Sequence, residues 1–265
     1  MKVNDKNYRS IWYDKDTKEV KIIDQRCLPY QFKIITIETI EDFEVAIKDM
    51  AVRGAPLIGA TAAYGVALQV QRDPSDESIE QCCERLNSTR PTAINLRWAL
   101  DRCKKILIEN PVSERRFISM QLAAEICDED VEINRKIGLN GLELIKSIYE
   151  NKPSGEPVRM LTHCNAGWLA TVDWGTATSP MYQAQQQSIP IHVWVDETRP
   201  RNQGALTSWE LKNQGISHNY ITDNAGGHLM QRGLVDMVIV GTDRTTSKGD
   251  VCNKIGTYLK ALAAK

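Results

Sequence analysis

Two residues stand out for the chemistry that their types and positions could carry. Cys164 closes the apolar run Arg159–Cys164 and is followed by Asn165-Ala-Gly167. A thiol at the point where a strand turns into a helix can sit at the helix N-terminus, where it ionises more readily and becomes more reactive. Packed as a small hydrophobe, the same residue would be inert. Asp243 closes a second apolar run, Met237-Val-Ile-Val-Gly-Thr242. A carboxylate in apolar surroundings holds its proton to higher pH, which suits a general acid/base. Paired with Arg244, or capping the next segment, it would be structural. A Cys–His dyad through His163 is disfavoured, because neighbours on a strand point to opposite faces.

Other residues could hold an anion. Arg53 lies in Arg-Gly-Ala-Pro56 and Arg90 in Arg-Pro-Thr92, each near a predicted helix start. There, cation and helix dipole together could hold a phosphate, although an ordinary surface arginine is the commoner case. Lys254, beside Asn253 where a final helix is predicted to begin, is a third such contact. Asp223-Asn-Ala-Gly-Gly-His228 joins a predicted strand to a helix, and glycines at a helix N-terminus can offer backbone N–H groups to an anion. No GxGxxG follows a strand and no GxxxxGK[ST] occurs, which disfavours nicotinamide and nucleoside-triphosphate chemistry. The four histidines (163, 192, 218, 228) form no HExxH pair and the seven cysteines no CxxC pair. A metal site and a disulfide framework are therefore not expected, and a reducing cytoplasm is the natural setting. A cysteine-nucleophile acyltransferase would need a base at a plausible spacing from Cys164, and none is present. Trp168 and Trp174 read as packing residues.

The elements that must position these groups fall into two textures. Ile11-Trp-Tyr13, Val20–Ile23 and Phe32–Ile37 are β-branched or aromatic runs separated by polar or Pro-containing corners, a small β meander. Phe43, Ala46, Ile47 and Met50 then mark one helix face, and Leu122, Ile126, Ile133, Ile137, Leu144 and Ile148 another apolar stripe. The uncharged run Gly54 to Gln71 contains Pro56 and falls short of the ~20 apolar residues that span a bilayer, so it reads as a buried helix. Asn151–Pro157 is the linker candidate. Beyond it, short apolar runs at Arg159–Cys164, Ile189–Asp196, Asn219–Asp223 and Met237–Asp243 alternate with helical stretches at Ala177–Gln187, Ser208–Gln214 and His228–Gly233. That alternation predicts βαβ units and a parallel sheet, with the polar strand ends converging on one rim. The expected class is α/β. A β/helical domain covers residues 1–150 and a Rossmann-like parallel domain covers 151–265.

Composition narrows the function. The chain has 265 residues, 33 Lys+Arg against 34 Asp+Glu, and a net charge of −1, a balance that argues against gripping nucleic acid or an anionic membrane. A hydrophobic fraction of 42% excludes disorder, and the first residues hold no apolar signal segment.

Taken in order, Met50-Ala-Val-Arg-Gly-Ala-Pro-Leu-Ile-Gly59, Arg90-Pro-Thr-Ala-Ile-Asn-Leu96, Thr162-His-Cys-Asn-Ala-Gly167, Asp196-Glu-Thr-Arg-Pro200, Gly241-Thr-Asp-Arg244 and Gly249–Tyr258 resemble the 5-methylthioribose-1-phosphate isomerase family of methionine salvage. The resemblance spans nearly the whole chain. Its wider superfamily includes isomerases of 5-deoxyribose 1-phosphate and ribose 1,5-bisphosphate, and the regulatory subunits of the eukaryotic initiation-factor nucleotide-exchange complex. The resemblance implies conversion of an aldose 1-phosphate to a 2-ketose 1-phosphate without metal or organic cofactor, in a cytoplasmic homodimer serving methionine biosynthesis. It makes Asp243 the general acid/base and Cys164 the second catalytic residue. Arg53, Gly54, Ala55, Arg90, Gln203, Asn253 and Lys254 become substrate contacts. A 5-deoxyribose or other 5-substituted pentose 1-phosphate is the alternative substrate, and a non-catalytic sugar-phosphate or nucleotide-binding subunit the alternative role. Three departures from the family pattern stand out. Leu206-Thr-Ser-Trp-Glu210 follows Gln203-Gly-Ala205 one residue early, and Asp223–His228 is unusually glycine-rich. The chain stops at Lys265 where the family continues, so the parallel domain is expected to be cut short.

Overall fold

A computed structural model describes all of residues 1–265, which divide into a helical unit (Arg9–Glu132 with Leu169–Asp173) and a sheet unit (Met1–Tyr8, Ile133–Trp168 and Trp174–Lys265). Asn151–Pro157 falls inside the sheet unit, and the division runs through a long helix instead. The architecture is mixed α/β, with a helical region and a parallel four-stranded sheet.

A short hairpin, β1 (Lys2–Val3) with β2 (Lys6–Asn7), opens the chain. In the helical unit, β3 (Ile11–Asp14), β4 (Glu19–Ile23) and β5 (Ile34–Ile37) form the expected antiparallel meander in that order. Its register pairs Ile11 with Ile22 and Val20 with Ile37, and all four residues are buried on the face that alternation gives them. The period then changes to that of helices. α1 (Ile40–Lys48) begins at a capping box: Asp42 N–H donates to Thr39 Oγ1 at 3.2 Å, and Thr39 N–H donates to the Asp42 carboxylate at 2.8 Å. α2 (Ala55–Arg72) is the uncharged run, and every residue from Leu57 to Ala67 is buried. Around it pack α1, α3 (Asp76–Thr89) and α4 (Ile94–Glu109). No helix of the chain is long and apolar enough to cross a membrane.

The start of α2 is held by a close backbone approach. Gly54 takes φ +92°, and a Cβ built there would lie 2.1 Å from the Ala170 carbonyl oxygen. Beside it Arg53 Nε donates to Gln25 Oε1 at 3.2 Å, while Gln25 Nε2 donates to the Leu169 carbonyl at 2.6 Å. The residues Leu169–Asp173 thus join the helical unit through backbone contacts that leave no room for a side chain at position 54.

α5 (Val112–Glu150) serves both units, and its buried face changes along its length. Leu122 and Ile126 are buried as the stripe predicts, but Ile133, Ile137 and Leu144 of the same stripe are exposed, and Leu142 and Ile145 are buried in their place. At about 100° per residue, Leu142 and Ile145 lie well round the helix from the stripe. In the sheet unit the helix turns this second face to α6 (Ser179–Gln186). Gly138 and Gly141 lie against Ser179 and Pro180, and Ser179 Oγ donates to the Asn134 carbonyl at 2.8 Å. Periodicity cannot report that a single helix changes partners.

The sheet itself is formed by β6 (Val158–His163), β7 (Ile191–Asp196), β8 (His218–Ile221) and β9 (Met237–Val238), all parallel, in the order β8-β7-β6-β9. α6, α7 (Gly204–Asn213) and α8 (Ala225–Gln231) alternate with the strands, as the sequence predicts. A hairpin of β10 (Arg244–Thr245) with β11 (Val251–Cys252) and then α9 (Thr257–Ala264) complete the described chain. On and before α9, Ile255, Tyr258, Leu259 and Leu262 are exposed. All seven cysteines are free thiols. Cys82, Cys83, Cys103 and Cys127 are buried, and burial pushes the last three up to about 12.

Two substitutions separate a local cap from a tertiary constraint. Thr39→Ala removes one half of the capping box and is expected to cost about 1 kcal/mol. Gly54→Ala combines a disallowed backbone with a backbone clash and is expected to cost roughly 2–4 kcal/mol. Urea unfolding midpoints at unchanged slope check both.

Candidate functional site

In a parallel sheet the strand ends share one edge, and there β6 and β7 place a charged cluster. Their register pairs His163 with Asp196. Both are buried, and His163 Nδ1 lies 3.1 Å from Asp196 Oδ2. Lys260, from α9 and equally buried, stands 3.0 Å from the same carboxylate oxygen, and its ammonium also donates to the Asp223 carbonyl at 2.7 Å. Desolvating a carboxylate is costly unless donors replace the lost water, and here an ammonium and an imidazole face it. The other imidazole nitrogen, Nε2, lies 2.8 Å from the Ile255 carbonyl oxygen. His163 therefore ties the end of β6 to the turn that bears Asn253 and Lys254.

Cys164 follows immediately. It is partly exposed and has φ +74°, a left-handed backbone uncommon outside glycine. The residues after it do not open an α-helix. A single 3₁₀ turn, Trp168–Ala170, comes first, and α6 starts only at Ser179. The expected helix N-terminus at Cys164 is therefore absent. The loop is held from α7 instead: Thr207 Oγ1 donates to the Cys164 carbonyl at 2.7 Å, and Glu210 accepts from Asn165 Nδ2 at 2.9 Å. Trp168 is fully buried, in keeping with a packing role.

Asp243 also departs from expectation. The strand that was to end at it stops at Val238, and the chain turns into the β10–β11 hairpin, leaving Asp243 exposed. The apolar surroundings that the run Met237–Thr242 suggested are not there. Asp243 N–H donates to the Cys252 carbonyl at 2.9 Å, next to Asn253, and Gly241 lies against Ala166 of the Cys164 loop. Within the sheet unit, then, Cys164, Asp243, Asn253 and Lys254 stand on neighbouring segments. Asn253 Nδ2 donates to Thr257 Oγ1 at 3.0 Å, and α9 begins at Thr257, not at Asn253. Gln203 is the N-cap of α7, and Thr198 Oγ1 donates to its Oε1 at 3.1 Å.

Arg53, Gly54, Ala55 and Arg90 belong to the helical unit. Arg53 and Gly54 are partly buried at the start of α2, and Ala55 is exposed. Arg90 is the C-cap of α3, with α4 starting four residues later, so it stands at the carbonyl end of a helix and not at an N-terminus. The glycine-rich Asp223–His228 stretch forms a short α8 whose Gly226 is buried against Leu161 and Asp196; this glycine serves packing. No three His, Cys, Asp or Glu side chains are placed to hold a metal ion.

Sequence reasoning missed the Glu210, Thr207 and Lys260 contacts. A charged residue inside an apolar helix, as in Leu206-Thr-Ser-Trp-Glu210, was the one available signal for Glu210. His163 and Asp196 were visible as rim residues, but their pairing depends on which strands are neighbours.

Residues 51–265 match the Initiation factor 2 subunit family. Over its whole length the chain is 61% identical to the methylthioribose-1-phosphate isomerase of Brucella anthropi, covering 73% of that protein, and 59% identical to that of Escherichia coli, covering 71%. Among solved structures, the 5-methylthioribose 1-phosphate isomerase of Pyrococcus horikoshii is similar with a TM-score of 0.87 at 41% identity, over 98% of this chain and 72% of that one. The translation initiation factor eIF-2B subunit delta of A. fulgidus is similar with a TM-score of 0.85, also at 41% identity, over 97% and 74%. The chain belongs to the methylthioribose-1-phosphate isomerase family.

Proposed function

We propose that this chain is an aldose–ketose isomerase that converts 5-methylthio-D-ribose 1-phosphate to 5-methylthio-D-ribulose 1-phosphate in methionine salvage. The observation that carries the reading is 56–62% identity, over the full chain, to proteins named for that isomerase. The presence of both Cys164 and Asp243 supports it, since a protein that only binds has no need of the pair.

The chemistry sets the demands. Phosphate on the anomeric oxygen keeps the ring from opening freely to an aldehyde. A proton must reach the ring oxygen as its bond to C1 breaks, the C2 hydrogen must move to C1, and the C2 hydroxyl must lose its proton to become the ketone. The atoms balance within the substrate, so the reaction needs proton handling but no external oxidant. In this reading Asp243 is the general acid/base for the ring oxygen and hydroxyl protons, and its exposed carboxylate is open to a ligand. Cys164 assists the hydrogen transfer. Arg53, Gly54, Ala55, Arg90, Gln203, Asn253 and Lys254 contact the sugar phosphate, for which guanidinium and ammonium groups are suited. The helical unit and the sheet unit act as the β/helical and catalytic parts of a cytoplasmic homodimer.

A second reading, a non-catalytic regulatory subunit, is favoured by the likeness to the A. fulgidus initiation-factor subunit. That likeness is 41% against 61% for the isomerase of Brucella anthropi, which ranks catalysis first.

A ³¹P NMR time course with 5-methylthioribose 1-phosphate, and in parallel with 5-deoxyribose 1-phosphate, tests the assignment. Loss of the anomeric phosphate signal to a ketose phosphate establishes the isomerase and ranks the substrates, whereas binding without turnover of either selects the regulatory reading. Asp243→Asn is expected to lower turnover by about 10²–10⁴ while substrate binding stays within a few-fold. Arg53→Ala is expected to weaken binding by roughly 10–100-fold through a lost charged hydrogen bond, with the smaller effect on turnover.

A further inference from the structure

Four contacts hold the Cys164 loop to one side of α7, and none is made by a side chain expected to touch substrate. Thr207 and Glu210 are three residues apart, so they share a helix face. The Thr207 hydroxyl donates to the Cys164 carbonyl at 2.7 Å. Asn165 Nδ2 donates to Thr207 Oγ1 at 3.1 Å and to Glu210 Oε1 at 2.9 Å. The Trp168 backbone N–H donates to Glu210 Oε2 at 3.1 Å, and the Tyr182 hydroxyl reaches the same oxygen at 3.0 Å from α6.

The orientation of each group is determined. The single Thr207 proton is spent on the Cys164 carbonyl and a carboxylate only accepts, so the Asn165 amide must present its NH₂ to both. Its Oδ1 is turned away from them, buried and without a donor. Gly167 completes the fit: a Cβ there would stand 1.7 Å from Glu210 Oε2, so the loop closes on the carboxylate more tightly than any side chain permits.

Glu210 is fully buried. An apolar residue of similar volume would avoid the cost of desolvating a carboxylate. A carboxylate can instead fix three donors from two segments at set points, which an apolar residue cannot. Two of those points, Asn165 and Trp168, directly follow Cys164, whose left-handed backbone has to be held by its surroundings.

We propose that Glu210, with Thr207, is a positioning residue that fixes the Cys164 loop and thereby the placement of its thiol for the isomerisation. The proposal rests on the reading of Cys164 as a participant in that reaction, so its test separates the two. Of the seven cysteines, four are buried, with thiols that burial pushes up. In a Cys27→Ser/Cys252→Ser background, iodoacetamide at pH 8 therefore reports on Cys164.

In that full-length background, Glu210→Gln leaves one of the three donors facing a donor. It is expected to change the alkylation rate at least about fivefold and to lower kcat on 5-methylthioribose 1-phosphate at least about tenfold, with KM within about threefold. Thr207→Val, which keeps the shape and loses the hydroxyl, should follow it, and Thr207→Ser, which keeps the hydroxyl, should stay within about twofold of the parent. Parent-like alkylation and kcat in folded Glu210→Gln and Thr207→Val overturn the proposal. Should Glu210→Gln fail to fold, the Thr207→Val and Thr207→Ser pair decides: equal behaviour of the two overturns it, and loss in Val with retention in Ser supports it. Cys164→Ala separates the premises. Parent-like turnover in that variant, with alkylation of Cys164 still altered by Glu210→Gln, upholds the positioning and removes Cys164 from the chemistry. Loss of turnover in Cys164→Ala with parent-like Glu210→Gln does the reverse.

Discussion

A carboxylate taken wholly out of water must be met by donors, and the way Asp196 is met organises the sheet unit. The parallel register of β6 and β7 puts His163 beside it, and α9 brings Lys260 to the same oxygen. Each partner makes a second contact, His163 at the Ile255 carbonyl and Lys260 at the Asp223 carbonyl. One buried charge thus gathers two strand ends, the approach to α8, the Asn253–Gly256 turn and the last helix. In a low-dielectric interior such a network tolerates little rearrangement, since removing one member leaves the others unpaired.

Glu210 plays the corresponding part on the other side of Cys164. Asp196 fixes the residue before the cysteine, and Glu210 fixes the residues after it. The thiol therefore sits on a loop with both flanks tied to buried carboxylates, while Asp243 stands exposed on a short hairpin segment. The two residues read as catalytic thus have opposite settings, one on a rigidly held loop and one on an accessible turn. General acid/base work needs access to substrate protons, and a residue that steadies a transition state needs fixed placement.

Much of this was legible in the sequence. The β-branched or aromatic runs at Ile11, Val20 and Phe32, the buried helix of the uncharged run from Gly54, and alternating strands and helices beyond residue 157 all follow from local patterning. The C-terminal rim was legible for two strands, because β6 and β7 end in His163 and Asp196. What was not legible depends on neighbours. The pairing of His163 with Asp196 requires strand order, and the burial of Leu142 in place of Ile137 requires knowing that α5 changes partners. The strand expected to run to Asp243 failed for a related reason: an apolar run of six residues shows that a segment is suited to a sheet, not how far the sheet accompanies it. Arg90 was placed at a helix start because Pro91 follows it, whereas the proline sits in the turn leaving α3.

The distribution of thiols bears on how this protein would meet an oxidant. Oxidation to sulfenic acid and beyond starts from the thiolate, which burial disfavours by pushing buried thiols up to about 12. Cys83, Cys103 and Cys127 are shielded in this way inside the helical core, whereas Cys27, Cys164 and Cys252 are open to solvent to some degree. Peroxide would therefore reach Cys27 in the helical unit and Cys164 and Cys252 in the sheet unit before the four buried thiols.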